Sequence, residues 1–133
     1  MTINTRRLID YWLTTAKNDF ETAEALFNNG KRLHHCLFFC HLVIEKYLKA
    51  LVVKRIENIP PKTHDLEYLA KKATLDLSQE DLDFLTEMNQ FVLEARYPDE
   101  KLEIYKKATK RLVRKYSKQT KEFTRWLEKI ITS

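Results

Sequence analysis

The sequence predicts an all-α protein, an antiparallel up-and-down helical bundle of four long helices and one short helix. The 133 residues include only one glycine and three prolines, so residues that interrupt helices are rare. Apolar residues make up 44% of the chain and recur at spacings of three and four, which is the helical period. No segment shows the alternation of a strand. We expect a single domain over residues 1–133, a size that suits one hydrophobic core.

The first helix is predicted from about Thr5 to Phe27. Its apolar residues recur on one face at Leu8, Trp12, Ala16, Phe20, Ala23 and Phe27. The segment Asn28-Asn29-Gly30 follows, and a glycine at this point favours the left-handed conformation that ends many helices.

The second helix is predicted from about Lys31 to Glu57, with two apolar stripes. One stripe contains Leu33, Leu37, Cys40, Ile44, Leu48 and Leu51. The other contains Phe39, Leu42, Val43, Ala50 and Val53. A helix that is apolar on two sides is either central or faces a partner. We expect the first stripe in the core and the second at a homodimer interface.

Prolines and capping residues delimit two further helices. Pro60-Pro61 ends the second helical region, and Thr63 is predicted to cap a short helix from His64 to about Ala73. Ser78 is predicted to open the fourth helix, with Asp81 at the reciprocal capping position. The apolar positions of the fourth helix are Leu82, Leu85, Met88 and Val92.

The last helix is predicted from about Glu100 to Ile130, after the break at Pro98. A seven-residue apolar repeat supports it, at Leu102, Tyr105, Leu112, Tyr116, Phe123, Trp126 and Ile130. Residues 100–133 hold 11 basic and 4 acidic side chains, a net charge of +7, whereas residues 1–99 carry −2. The basic character of the chain therefore belongs to this segment.

Six of these basic residues recur at helical spacing and form a ridge about 27 Å long opposite the apolar repeat. We call this set the basic ridge: Lys107, Arg111, Arg114, Lys118, Lys121 and Arg125. Such a ridge can follow a phosphate backbone or an acidic protein surface. The alternative is the solvated outer face of an ordinary amphipathic helix.

Targeting and metal-binding signals are weak. The N-terminal segment does not resemble a signal peptide, and no uncharged run reaches the length of a membrane span. Cys36 and Cys40 are four apart on one predicted helix, which is poor geometry for a disulfide. Histidines 34, 35 and 41 lie nearby, but one helix rarely supplies a complete metal site. We expect a reduced cytoplasmic protein without a metal or cofactor.

Three charged residues lie inside the most apolar stretch, Leu33–Val53: Glu45, Lys46 and Lys49. A charge removed from water is costly unless it is paired, so the pattern predicts a polar site within the helical core. His41, Glu45 and Lys49 follow one another at four-residue spacing on one side of the helix. The alternative is a surface ion pair beside a hydrophobic interface.

Two further motifs offer candidate binding residues. Arg96 lies in the run Ala95-Arg96-Tyr97-Pro98, where its planar guanidinium suits a carboxylate or phosphate. The alternative is an ordinary helix break in which Arg96 pairs with an acid such as Glu45. The run Thr63-His64-Asp65-Leu66 supplies a possible general base, His64, and an acid, Asp65, suited to a helix start. A histidine there can equally be structural.

These motifs, with Glu45-Lys46-Tyr47-Leu48-Lys49-Ala50-Leu51, together resemble the HEPN domain (the higher eukaryote and prokaryote nucleotide-binding domain). Their order and spacing carry the resemblance. The first predicted helix also resembles the opening helix of the family, with Trp12, Ala16, Asp19 and Ala23. The similarity extends over nearly the whole chain.

The resemblance implies a small up-and-down bundle that is usually a homodimer. Such proteins are often encoded beside a minimal nucleotidyltransferase, and the two resemble a toxin–antitoxin pair or a split nucleotidyltransferase. The helical protein would then bind nucleotide or substrate. Four residues are expected to line the pocket, with phosphate on Arg96 and Lys49, a base stacked on Tyr97, and Glu45 beside them. His64 and Asp65 are further candidates.

Some branches of the family are metal-independent ribonucleases that use an arginine, four to six residues, then a histidine. Here Lys101, Leu102 and Glu103 stand five to seven positions after Arg96, and no histidine follows an arginine at this spacing. We therefore expect a binding subunit without catalytic residues. The alternatives are an RNA-binding protein or ribonuclease toxin that uses His64 or Arg96 in another geometry, and a structural or adaptor bundle.

Overall fold

A computed structural model describes residues 3–92 and 98–133, with only the backbone described for residues 98–101. The described chain forms six α-helices and one 3₁₀ turn, and these residues contain no strand. The elements are α1 (Thr5–Asn29), α2 (Leu33–Ile56), α3 (Leu66–Lys72), α4 (Gln79–Met88), the 3₁₀ turn (Asn89–Phe91), α5 (Pro98–Lys107) and α6 (Lys110–Thr132). The prediction of an all-α helical bundle is confirmed.

The turn between α1 and α2 depends on Gly30, as predicted. Gly30 has a φ of 75°, and its N–H donates to the carbonyls of Leu26 and Phe27 at 3.2 and 3.1 Å. This left-handed cap ends α1 at Asn29, two residues later than the apolar pattern predicted. The connection to α2 is short, so the two helices run antiparallel.

Helix α2 is the central element of the bundle, since α1, α3 and α6 all pack against it. Val43, Ala50 and Val53 of the second apolar stripe have no exposed surface within the single chain. For these three residues the prediction of a dimer interface is wrong, because the surrounding helices of the same chain cover them, whereas Phe39 and Leu42 are only partly buried. A homodimer through another surface remains a prediction.

The short helix α3 begins later than predicted, and its cap is Asp65 rather than Thr63. The Asp65 carboxylate accepts from the backbone N–H groups of Glu67 and Tyr68 at 3.1 and 3.3 Å. The hydroxyl of Thr63 instead accepts from the Asp65 N–H. A carboxylate that accepts two N–H groups in the first turn also suits the positive end of the helix dipole.

The predicted last helix is two helices, because the chain breaks between Lys107 and Lys110. Thr109 is extended, with φ −80° and ψ 158°, and its hydroxyl accepts from the Leu112 N–H at 3.2 Å. Threonine competes for backbone hydrogen bonds in this way and so favours helix starts over helix interiors. Lys107 consequently lies on α5 and does not continue the basic ridge on one helix.

The predicted seven-residue repeat of core residues is also wrong in part, because of the break at Thr109 and because of the helical period. Leu102, Tyr105 and Trp126 are exposed, although the repeat placed them in the core. A straight helix drifts by about 20° for each heptad, so a strict seven-residue repeat moves gradually away from the core face. The buried residues of α6 are Val113, Tyr116, Thr120, Phe123, Thr124, Leu127 and Ile131.

Candidate functional site

Glu45 and Lys49 form a buried ion pair at the centre of α2. Their exposed fractions are 3% and 7%, and Lys49 Nζ donates to Glu45 Oε2 at 3.0 Å. The ammonium group also lies 5.3 Å from the centroid of the Trp12 ring on α1, a cation–π distance. Glu45 and Lys49 therefore form the predicted polar group within the core and not the alternative, a surface ion pair.

His64 joins this pair from the connection between α2 and α3. Its Nδ1 lies 2.8 Å from Glu45 Oε1, so both carboxylate oxygens of Glu45 are hydrogen-bonded. An ionised carboxylate can only accept, and therefore His64 Nδ1 carries the proton. The His64 side chain is 49% exposed. A buried carboxylate thus holds an imidazole ring that reaches solvent.

The His41 side chain forms a hydrogen bond with the backbone of His64. Its Nε2 lies 3.0 Å from the carbonyl oxygen of His64. Burial lowers the pKa of His41 to about 4, so its ring is neutral near pH 7. Because a carbonyl can only accept, Nε2 carries the proton, and Nδ1 faces Glu45 Oε1 at 4.0 Å without charge. We refer to His41, Glu45, Lys49 and His64 as the Glu45 cluster.

Asp65 lies beside the Glu45 cluster and has a structural role as the cap of α3. Asn89, after α4, reinforces it: its Oδ1 accepts from the Leu66 N–H at 2.9 Å and its Nδ2 donates to Asp65 Oδ1 at 3.2 Å. No sequence pattern pointed to Asn89, because an amide at a helix end has no diagnostic spacing. The segment that carries His64 is therefore fixed from both α2 and α4.

One other charged residue of the same helix, Lys46, is not part of this cluster. Arg96 and Tyr97 lie outside the described residues, and their roles stay predictions. Lys46 points to the other side of α2, where it forms an ion pair with Asp19 of α1. This pair is partly buried and ties the two longest neighbouring helices together.

The basic ridge lies on the outer face of the bundle. Its five members on α6 are all exposed, and they lie opposite the buried face of that helix: Arg111, Arg114, Lys118, Lys121 and Arg125. The Arg114 guanidinium lies 5.7 Å from the Phe27 ring centroid. On α5, Lys107 Nζ donates to Gln90 Oε1 at 3.2 Å.

Two features are not found in the described part of the chain. Among residues 3–92 and 98–133, no three His, Cys, Asp or Glu side chains converge in a way that could hold a metal ion. Within the same ranges, none of the helices combines the length and the apolar character required to cross a bilayer.

The protein is an all-α helical bundle with a charged cluster buried on its central helix. Its family follows from sequence comparison: the family model of the HEPN domain matches residues 9–130. The match covers nearly the whole chain, and the chain belongs to the HEPN domain family. Neither the curated proteins nor the solved structures contain a match to this chain.

Proposed function

We propose that this HEPN protein is a non-catalytic binding subunit that takes up a nucleotide and acts with a minimal nucleotidyltransferase, in the manner of a toxin–antitoxin pair. The observation that carries the proposal is the exposed His64 ring held by the buried Glu45 carboxylate. A ligand site needs groups that are accessible and yet fixed in place. The His64 ring meets both conditions.

Within this site Glu45 acts as a positioning residue. Its two oxygens accept hydrogen bonds from Lys49 and His64, and its side chain is buried. A ligand in solvent therefore meets the imidazole and not the carboxylate. Because His64 Nδ1 donates to Glu45 and a phosphate oxygen can only accept, a phosphate would contact this ring through Nε2–H of the imidazolium form.

Lys49 is better suited to structure than to direct phosphate binding. Its ammonium group is buried between Glu45 and Trp12, and a phosphate could reach it only by displacing one of them. The proposed phosphate contacts are accordingly His64 and Arg96, with Tyr97 as the stacking surface for the base.

The chemistry of the described residues favours binding over catalysis. Cleavage of RNA needs a proton acceptor and a proton donor near the reacting atoms. His64 could supply one of them, whereas His41 is buried, neutral near pH 7 and hydrogen-bonded to the His64 backbone. The sequence also lacks the arginine–histidine spacing of the family's ribonucleases.

Titration calorimetry with ATP, and with adenosine as the ligand without phosphate, tests the proposal. We expect ATP to bind more tightly than adenosine, and His64→Ala to weaken ATP binding by about 10-fold, a difference of about 1.4 kcal/mol. Lys71→Ala is the matched control, since Lys71 is exposed on α3 and outside the site. It should bind ATP as the unmodified protein does.

Co-expression with a minimal nucleotidyltransferase from the same genome tests the partner. A complex that survives purification and is lost in Arg96→Ala or His64→Ala would support the proposal. The proposal fails if the purified protein binds no nucleotide and retains no nucleotidyltransferase. Growth arrest with degraded RNA on overexpression, abolished by His64→Ala, would favour the ribonuclease alternative.

A further inference from the structure

The outer face of α6 carries a strong and one-sided positive charge. Residues Lys110–Thr132 include eight basic side chains and two acidic ones. One of the two acids, Glu128, forms an ion pair with Lys17 of α1 at 2.7 Å, so it does little to reduce the charge of this face. The buried residues of α6 all lie on the opposite side. The field of this face is therefore directed into solvent.

The cations of α6 form a regular line. From Arg111 to Arg125 they recur every three or four residues, which corresponds to a rise of about 4.5–6 Å for each step. A nucleic-acid strand presents phosphates as a regular linear array of charges. An acidic protein surface has no such repeat, so the regular spacing favours a phosphodiester backbone.

A cleft at the start of α6 continues this line. Its volume is about 550 Å³, and its lining consists of Lys107, Thr109, Arg111, Leu112 and Lys115. Three of the five residues are cations, and they come from both α5 and α6. Because the N-terminal end of a long helix is also positive, the electrostatic attraction for a phosphate is concentrated at this point.

Aromatic side chains lie at the same end of the bundle. Tyr105 on α5 is 61% exposed, and its ring centroid lies 5.1 Å from that of His34 on α2. The His34 and His35 rings lie 4.1 Å apart. The Lys110 side chain reaches the turn at Gly30, just before these histidines. Exposed aromatic rings beside a cationic track are typical of surfaces that bind unpaired bases.

We propose that the α6 face and the cleft at its start bind single-stranded RNA, at a surface separate from the Glu45 cluster. The phosphates follow the line of cations, and bases stack at Tyr105. A duplex would hide its bases from that ring. Most single-stranded nucleic acid in a cell is RNA, which makes RNA the expected occupant. The inference does not depend on the proposed nucleotide site.

Fluorescence anisotropy with a labelled RNA of about 20 nucleotides tests this surface. About five phosphate contacts predict a slope near −3.5 for log K against log salt, or roughly a 100-fold loss between about 50 and 200 mM salt. The triple variant Arg111→Gln, Lys118→Gln, Arg125→Gln should flatten that slope by about 2 and weaken binding on the order of 100-fold at low salt.

A second triple variant is the matched control: Arg55→Gln, Lys71→Gln, Lys72→Gln. It removes the same charge from exposed positions on α2 and α3, and we expect less than about a 3-fold change in affinity. Tyr105→Ala should weaken the binding of single-stranded RNA by about 5-fold or more and leave duplex RNA unaffected. Circular dichroism establishes that each variant is folded.

Three results would overturn the inference. An equal loss in both triple variants would mean that binding follows net charge alone. Competition by polyglutamate as effective as that by RNA of equal charge would assign the face to an acidic protein. Equal affinity for duplex RNA, unchanged in Tyr105→Ala, would rule out base contacts. Because none of these substitutions touches the Glu45 cluster, ATP titration of the same variants separates this inference from the proposed function.

Discussion

Replacement of Glu45 by alanine should destabilise the protein through Lys49. The Lys49 ammonium group is 7% exposed and lies 3.0 Å from Glu45 Oε2, so the variant leaves a buried cation without its counter-charge. Removing one partner of a buried ion pair costs about 3–5 kcal/mol. The lost hydrogen bond to His64 adds little, because that ring is half exposed and can bond to water. We expect the free energy of unfolding to fall by about 4 kcal/mol.

Urea unfolding followed by far-ultraviolet circular dichroism measures this loss. With a denaturant dependence of about 2 kcal/mol per molar, the midpoint should fall by about 2 M. The double variant Glu45→Met, Lys49→Met is the control, since apolar replacement of a whole buried pair is often neutral or stabilising. It should recover most of the lost stability.

Two outcomes would refute this reasoning. A loss below about 1 kcal/mol in Glu45→Ala would mean that the pair is solvated, as exposed pairs are. A double variant as unstable as the single one would show that the loss comes from packing rather than from the uncompensated ammonium. Glu45→Gln distinguishes a role in nucleotide binding from a purely structural role. If this variant is less stable but binds ATP with unchanged affinity, the Glu45 cluster is structural only.

Three further substitutions test the fold and the cluster by urea unfolding. Burial lowers the pKa of His41 from 6.5 to about 4, so between these pH values the unfolded chain binds a proton that the folded chain does not. The free energy of unfolding should therefore fall by up to ~3 kcal/mol as the pH drops from 6.5 toward 4. His41→Gln should remove most of this pH dependence, and an unchanged pH dependence would contradict the role of His41. Thr109→Ala should cost about 1 kcal/mol through the lost cap of α6, whereas no cost would mean that the cap is replaceable. Gly30→Ala should cost about 1–2 kcal/mol because the φ of Gly30 is 75°, and a neutral effect would contradict the left-handed cap.

Much of the fold was predictable because it depends on local chemistry. The end of α1 follows from a glycine, and the start of α4 follows from Ser78, whose hydroxyl accepts from the Asp81 N–H as predicted. The sequence also indicated a buried polar group at Glu45 and Lys49, because charges inside so apolar a helix must be compensated, but it left a surface ion pair open. In each case one short segment contains the whole cause.

The break between α5 and α6 was not predictable from the same kind of pattern. Thr109 is compatible with a helix interior and with a helix cap, and its neighbours do not decide between them. The extended conformation of Thr109 decides it, and that conformation depends on how α5 and α6 each pack. The exposed positions of Tyr105 and Trp126 follow from the same break and from the helical drift.

The pairing within the candidate site was beyond local reasoning for a different reason. Glu45 and His64 were both candidates, but they are separated by 19 residues, and no periodicity relates a helix to the loop that follows it. Only the packing of α3 on α2 brings the His64 ring to the carboxylate. The same packing places the His41 ring against the backbone carbonyl of His64, where it supports the segment and does not face a ligand.

The most direct test of the central claim is the nuclear magnetic resonance of the histidine rings during titration with ATP. We expect the ring resonances of His64 to shift and saturate with the nucleotide, while those of the buried His41 change little. His64 resonances that stay unchanged at saturating ATP would contradict the assignment of that ring as the accessible contact of the site.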